Sequence, residues 1–251
     1  MTAQARAVML EDQPLAGGPA HDAVLGPVLL ARGLDDAREI VRIHRPKPTA
    51  AFSRRDTRRP GFDRAAAACR ELGFEPVVRP QGGQLAAYHR GSVVIDHVVR
   101  ESNPSAGLRG RFERFAELHS AVLAGMGLDA RIGELPGEYC PGEFSVNAAG
   151  AVKIVGSAQR ITRDGWLFST VIQVTGSEAI REVLTRAYDE IGYELDPLTI
   201  GSVEDFLPGI TAGAVEWALT SEYTAILAAD PGRIPAGILE EVAAISRAEP
   251  R

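Results

Sequence analysis

The chain has 251 residues, of which 45% are hydrophobic and 24% charged, and its formal net charge is −6. This composition is typical of a globular protein with one large domain. The acidic balance argues against nucleic acid as the main partner, because phosphate binding favours a basic surface. The sequence has no apolar run of about 18 residues, and its first twenty residues show no signal-peptide pattern. We therefore expect a cytoplasmic protein without a nucleic-acid or membrane partner.

The two cysteines, Cys69 and Cys140, lie in different contexts. Cys69 falls in an Ala-rich stretch that predicts a helix, where a small buried thiol is the expected structure. Two cysteines without regular spacing indicate neither a disulfide framework nor a zinc site, so no metal is predicted. A reducing compartment is the simplest interpretation.

In chain order, residues 1–21 are rich in Ala, Gly and Pro without a period, which predicts a flexible tail before a single domain at 22–251. Apolar periodicity and glycine or proline boundaries predict helices at 22–34, 60–74, 107–128, 177–192 and 237–249. Short β-branched runs predict strands at 39–46, three strands within 75–99, and two more at 152–162 and 165–175. Residues 202–209 are a loop or a short helix. Because the strands cluster in the middle and do not alternate with helices, we predict an α+β fold with a mixed, largely antiparallel sheet flanked by helices.

The first candidate site segment is Arg79-Pro80-Gln81-Gly82-Gly83, between two predicted strands. A glycine pair lets the backbone approach a ligand closely, and Arg79 would present a cation to a carboxylate or phosphate. The alternative is a glycine hairpin turn with a solvated arginine.

The second candidate is Cys140, which lies between two glycine turns in GEYCPGEF. A loop cysteine is accessible, as a nucleophilic thiol must be. The carboxylates of Glu138 and Glu143 would discourage a thiolate unless a cation offsets them. An inert loop thiol is the alternative.

The third candidate is Lys153, flanked by apolar residues on a strand and followed by Gly156 and Ser157. A partly buried ammonium is suited to pair with a thiolate, an acyl carbonyl or a phosphate. An exposed strand lysine is the alternative.

These segments together resemble the lipoate/biotin protein ligase superfamily. The resemblance rests on VVRPQGGQLAAYHRGSVVI followed by KIVGSAQRI, on the preceding RIHRPKPTAAFSRRDTRRPGFDRAAAACRELG, and extends from about Val41 to Val174. It implies a catalytic domain with a mixed sheet and a tunnel for a fatty or lipoyl tail. The residues that the resemblance places in the pocket are Arg79, Gly82, Gly83, His89 and Lys153.

Within that superfamily, EYCPGEFSVN resembles the cysteine-dependent octanoyl and lipoyl transferases. The resemblance implies that Cys140 carries the acyl group as a thioester with Lys153 beside it, while backbone N–H groups near Gly156 and Ser157 hold the oxyanion. No cofactor is then required. The implied partners are lipoyl-domain proteins, such as the glycine cleavage H protein (GcvH) and E2 subunits, and acyl carrier protein as a further donor.

Two alternative functions remain open at this point. An ATP-dependent lipoate ligase is one, although Pro80 and Gln84 stand where many ligases have a second arginine and a third glycine. A non-catalytic acyl-binding protein is the other. A group of arginines is a candidate for steering acidic partner proteins, the alternative being a solvated run of surface charges: Arg54, Arg55, Arg58, Arg59 and Arg64.

Overall fold

The computed structural model describes residues 6–248, which form two β-sheets and six α-helices. The strands are β1 (Ala7–Leu10), β2 (Glu39–His44), β3 (Thr49–Ser53), β4 (Glu75–Arg79), β5 (Ala86–Tyr88), β6 (Ser92–Arg100), β7 (Ala130–Ile132), β8 (Val146–Ala148), β9 (Val152–Thr162), β10 (Gly165–Gln173) and β11 (Asp230–Gly232). The helices are α1 (Pro19–Arg32), α2 (Phe62–Glu71), α3 (Leu108–Gly125), α4 (Ser177–Ile191), α5 (Ala212–Leu227) and α6 (Ala236–Ala248).

The larger sheet has eight strands in the order β11-β1-β2-β6-β10-β9-β8-β7. β1 runs parallel to both of its neighbours, and every other pairing in this sheet is antiparallel. The predicted mixed, largely antiparallel sheet is therefore confirmed. Because side chains alternate across a strand, one face packs on α3 and α5 and the other on α1 and α6.

The smaller sheet has three strands in the order β4-β3-β5, covered by α2 and α4. β3 is parallel to β4 and antiparallel to β5. The segment Arg79–Gly83 is therefore not a hairpin turn between paired strands, as one interpretation of the sequence had it. It crosses the end of β3, which brings the glycine pair to the side of the sheet where the Cys140 loop lies.

The start of the chain departs from the predicted tail of residues 1–21. Ala7–Leu10 forms a buried strand paired with β2 on one side and β11 on the other, and α1 already begins at Pro19. The four-residue run is too short to stand out by periodicity, and its partners lie at least thirty residues away. Residues 1–5 of the predicted tail lie outside the described residues.

The helix α5 was absent from the sequence prediction because its apolar residues do not follow one face. Val215 and Leu219 are buried, whereas Trp217 and Ile226 are exposed. Its start carries a recognisable signal, since the Thr211 side chain accepts a hydrogen bond from the N–H of Ala214 at 3.1 Å. Within residues 6–248, no helix has both the length and the apolar character needed to cross a membrane.

Candidate active site

A cavity lies between the larger sheet, the first two turns of α1 and the strands β4 and β5 of the smaller sheet. Five of the predicted site residues line it: Arg79, Cys140, Lys153, Gly156 and Ser157. The structure thus brings together side chains from three separate segments of the sequence. Gly82, Gly83 and His89 do not line the cavity, although Gly83 contacts it indirectly through Cys140.

Cys140 lies on the loop that joins β7 to β8, as predicted, and is half-buried, whereas Cys69 is fully buried. Its φ of +42° falls in the left-handed region, which is uncommon for a residue other than glycine. The surroundings hold this conformation: the Cys140 N–H donates to the Tyr188 hydroxyl at 2.8 Å, and that hydroxyl donates to the Leu85 carbonyl at 2.8 Å. Tyr188 was not identified from the sequence.

The Cys140 sulfur faces the glycine pair directly. The N–H of Gln84 donates to Sγ at 3.2 Å. Gly83 has φ +102°, and a Cβ there would lie 2.8 Å from Sγ, so this position requires glycine both for its backbone conformation and for space. A Cβ at Gly82 would meet no atom of residues 6–248 within 4 Å. The N–H that reaches the sulfur therefore comes from the glycine turn, whereas the resemblance placed the N–H donors near Gly156 and Ser157.

Arg79 holds the glycine turn in place. Its guanidinium donates to the carbonyls of Gly82 at 2.5 Å, Gln84 at 2.9 Å and Ala51 at 3.4 Å. Most of the hydrogen bonds that Arg79 donates thus go to the loop that faces Cys140, and its side chain also lines the cavity.

Lys153 is 2% exposed and lies beneath the cysteine loop. Its ammonium donates to Glu138 Oε1 at 2.8 Å, to the Tyr139 carbonyl at 3.0 Å and to the Cys140 carbonyl at 2.8 Å. An ammonium has three protons, and these three acceptors occupy all of them. In this arrangement Lys153 anchors the loop. Its positive charge is paired with the Glu138 carboxylate and not with the Cys140 sulfur.

Glu138, one of the two carboxylates expected from the sequence to discourage a thiolate at Cys140, is the anionic partner of Lys153. Its fully buried carboxylate accepts hydrogen bonds from the N–H groups of Leu135 (3.0 Å) and Gly142 (3.2 Å), and from the hydroxyl of Ser145 (2.6 Å), besides that from Lys153. A buried lysine requires a buried anion as its partner, and this requirement is a signal by which a carboxylate partner can be sought, but Glu138 was not identified as that partner from the sequence.

His89 lies outside the cavity, contrary to the role that the resemblance implied for it. Its Nδ1 accepts from the Gly91 N–H at 2.7 Å, and its Nε2 is 3.1 Å from the Gly176 carbonyl. The tautomer protonated at Nε2 makes both bonds. His89 therefore joins the turn before β6 to the residue preceding α4.

Gly156 and Ser157 lie on β9 beside the lysine. A Cβ at Gly156 would be 3.2 Å from Lys153 Cε, so the glycine leaves room for the lysine stem. The Ser157 hydroxyl hydrogen-bonds with Thr170 Oγ1 at 2.9 Å. Their function as an oxyanion site stays a prediction.

The floor of the cavity away from Cys140 carries partly buried polar groups that were not predicted from the sequence. The Ser169 hydroxyl donates to Asp96 Oδ1 at 2.5 Å and accepts from Gln81 Nε2 at 2.7 Å. Burial raises the pKa of Asp96, and burial likewise raises the pKa of Asp22, which enters from α1.

The second cysteine and the arginine cluster, the remaining residues considered in the sequence, are partly structural and partly exposed. Burial raises the pKa of the Cys69 thiol to about 12, in agreement with a core residue. Arg59 donates to the carbonyls of Ile191 and Gly192 at 2.8 Å each, and Arg64 pairs with Glu190 at 2.6 Å. The other three arginines of the cluster are exposed and form no ion pair within the part of the chain described: Arg54, Arg55 and Arg58.

Comparison with known proteins places this site in a family. The chain is 28% identical over 203 residues to the octanoyl-[GcvH]:protein N-octanoyltransferase of Geobacillus kaustophilus, covering 81% of this chain and 71% of the relative. The protein of the same name from Anoxybacillus flavithermus is 27% identical over 158 residues, covering 63% of this chain and 56% of the relative. Among solved structures, a lipoate-protein ligase A bound with ATP superposes with a TM-score of 0.71 at 18% identity, covering 96% of this chain and 93% of the other. A bi-partite lipoate protein ligase from Thermoplasma acidophilum, solved in a study that includes its E2 lipoyl domain, has a TM-score of 0.66 at 17% identity, with coverage of 96% and 91%.

The solved structures share the fold with this chain at low sequence identity. The family itself is shown by a match of the sequence to a family model. The family model for the lipoyl protein ligase A/B catalytic domain matches residues 28–223, which include Cys140, Lys153 and the glycine pair. The chain belongs to the lipoyl protein ligase A/B catalytic domain family.

Proposed function

We propose that this protein is an acyltransferase that moves an octanoyl or lipoyl group from a carrier protein to a lysine of a lipoyl domain, through a thioester on Cys140. The observation that carries the proposal is the Cys140 sulfur, which lines the cavity and accepts a hydrogen bond from the Gln84 N–H at 3.2 Å. The relatives named as octanoyltransferases of octanoyl-GcvH support the same reaction class.

The first half-reaction transfers the acyl group to the enzyme. The Cys140 thiolate forms a bond to the acyl carbonyl carbon of the donor, and the bond from that carbon to the donor nitrogen or sulfur breaks. A leaving amine takes up a proton from solvent. The Gln84 N–H, already directed at Sγ, is suited to the oxyanion that develops beside the sulfur, because a fixed backbone donor requires no reorganisation during the reaction.

The second half-reaction releases the acyl group. The ε-amine of an acceptor lysine attacks the thioester carbon, the C–S bond breaks, and Cys140 leaves as a thiolate while the amine loses a proton to solvent. Lys153 acts as a positioning residue in both halves, because its three protons are bound by Glu138 and by the carbonyls of Tyr139 and Cys140. GcvH and E2-type lipoyl domains are the proposed protein partners, and no cofactor is proposed.

The test is intact-protein mass spectrometry after mixing the enzyme with octanoylated GcvH or octanoyl acyl carrier protein, without ATP. We expect an octanoyl adduct that hydroxylamine removes, that is absent in Cys140→Ala, and that persists in the matched control Cys69→Ala. An adduct that persists in Cys140→Ala would reject the thioester. Acceptor modification that occurs only with ATP and free acid would establish the lipoate ligase alternative, and ligand binding without any transfer would establish the acyl-binding alternative.

A further inference from the structure

The cavity floor opposite Cys140 is organised as two rows that cross the larger sheet. One row runs through paired positions Gly156, Val171, Val94 and His44, on β9, β10, β6 and β2 in turn. Its two middle members are apolar and line the cavity. This row is a hydrocarbon lane that starts beside Lys153 and ends at a histidine.

The second row is polar along most of its length. Ser169 on β10, Asp96 on β6 and Arg42 on β2 occupy successive paired positions. Arg42 is 2% exposed, and its Nη1 lies 2.8 Å from Oδ1 of Asp22, which enters from the first turn of α1. The same Asp22 oxygen is 3.9 Å from His44 Nε2. Three charged or titratable groups thus meet where the lane ends.

These groups are poorly satisfied by the protein. Within residues 6–248, the buried atoms Asp22 Oδ1, Arg42 Nε and Nη1, His44 Nδ1 and Gln81 Oε1 have no hydrogen-bond partner, the Arg42–Asp22 ion pair being close but not aligned as a hydrogen bond. Buried polar atoms of this kind hold ordered water or a polar ligand. A hydrocarbon chain that reached the lining atoms Asp22 Oδ1 or His44 Nδ1 would leave each of them buried without a hydrogen bond, at about 1–3 kcal/mol per atom.

We propose that Asp22 and His44, which line the cavity, and Arg42, which pairs with Asp22 behind that lining, form a polar end wall that limits the length of the acyl chain the cavity accepts. The proposal rests on the proposed function and deepens it by naming the residues that set the acyl specificity. Strands in a sheet are about 4.8 Å apart, so the three spacings from β9 to β2 span about 14 Å. An extended saturated chain advances about 1.3 Å per bond, so an eight-carbon chain with its seven bonds is roughly 9 Å long. Because non-bonded carbon atoms stay about 3.5–4.0 Å apart, its methyl end stops short of contact with the wall, whereas a ten-carbon chain of roughly 11 Å does not. Each further carbon pair brings the chain into the polar groups.

The experiment measures the affinity of the intact protein for free saturated fatty acids of six, eight, ten and twelve carbons by isothermal titration calorimetry. A buried methylene contributes about 0.8 kcal/mol, which is about fourfold in affinity. We expect affinity to rise by about that factor per carbon up to eight carbons, and then to stop rising or to fall. A rise that continues unchanged to twelve carbons would overturn the proposal.

The decisive variant replaces the wall with apolar side chains of similar volume, Asp22→Leu with Arg42→Met, an exchange of a buried ion pair that proteins often tolerate. We expect the affinity optimum to move to ten or twelve carbons. His44→Ala, which removes the ring at the end of the lane, is a second route to the same shift should the double variant not fold. The control is the exposed pair on α2 and α4, Glu71→Leu with Arg186→Met, where the two side chains are 2.8 Å apart and remote from the cavity.

Two further outcomes separate this proposal from its alternatives. An 8-hydroxyoctanoate that binds tenfold more tightly than octanoate would show that the cluster binds a polar chain end, and would overturn the length limit. If no octanoyl adduct forms on Cys140 while affinity still peaks at eight carbons, the proposed transfer fails and the length limit stands. An optimum that is the same in the wild type and in both wall variants would reject the wall itself.

Discussion

The buried pair of Lys153 and Glu138 gives the sharpest test of how the cysteine loop is held. Both side chains are essentially excluded from solvent, at 2% and 0% exposure. Removing one partner leaves an uncompensated buried charge, which costs about 3–5 kcal/mol. We therefore expect Glu138→Gln and Lys153→Met each to lower the free energy of unfolding by this amount, or the melting temperature by about 6–20 °C at 2–4 °C per kcal/mol.

The double variant Glu138→Gln/Lys153→Met distinguishes a paired interaction from two independent losses. It removes both charges, so the loss should be smaller than the sum of the single losses by about 2 kcal/mol, although the carbonyls of Tyr139 and Cys140 still lose their donor. Urea unfolding followed by circular dichroism measures all three values. The exposed pair of Glu71 and Arg186 serves as control, where coupling should be about 0–1 kcal/mol.

Activity in the same three variants separates positioning from chemistry. If Lys153 acts by anchoring the loop, all three variants should form the Cys140 adduct slowly, and the double variant should stay slow although it loses less stability than the two single variants taken together. Additive stability losses would refute the buried pair. Wild-type acylation in Glu138→Gln would refute the claim that the pair positions the cysteine.

Three other predictions follow from the geometry. Gly83→Ala should slow adduct formation on Cys140 and destabilise the fold by about 1–2 kcal/mol, because φ there is +102° and the new Cβ would lie 2.8 Å from the sulfur; Gly82→Ala, with no atom within 4 Å, should behave as wild type in both measurements. Iodoacetamide followed by peptide mapping should label Cys140 and leave Cys69 unmodified in the folded protein, since Cys69 is fully buried and its thiol pKa is raised to about 12; equal labelling of both would contradict this. Burial lowers the pKa of His119 to about 3 from 6.5, so only the unfolded chain binds a proton there as pH falls below 6.5. This group should therefore lower the free energy of unfolding by about 2 kcal/mol between pH 7 and pH 5. In His119→Gln the decrease measured by urea unfolding at the two pH values should be smaller by that amount.

The sequence predicted those parts of the fold that depend on local pattern. The helices with clear apolar periodicity and glycine ends were identified, and so was the hairpin of β9 and β10, which turns at Arg163 and Asp164. The partners of β1 and the insertion of β3 between β4 and β5 were not, because strand pairing depends on residues far apart in the chain. A four-residue strand carries too few residues to show a period.

The candidate site likewise contains residues that could be predicted from local sequence and residues that could not. Cys140 and Lys153 stand out because a loop cysteine and a lysine in an apolar strand are unusual in their own surroundings. Glu138 does not, since its neighbours in sequence make it look like one more surface carboxylate, and only the fold turns it beneath the loop. His89 was assigned to the pocket by the order of the motifs, yet its ring is occupied by the backbone of Gly91 and Gly176.

The position of the cysteine shows why its surroundings were harder to predict than the residue itself. Cys140 keeps a φ of +42°, which costs a non-glycine residue about 1–3 kcal/mol and persists only where the surroundings fix it. Three contacts do so, from Tyr188 on α4, Lys153 on β9 and Gln84 after the glycine pair. Each comes from a different element, so no single stretch of sequence encodes the conformation. We therefore expect the loop to adopt this conformation only when both sheets are assembled against each other, so that Cys140 reaches its position beside the cavity as the fold is completed.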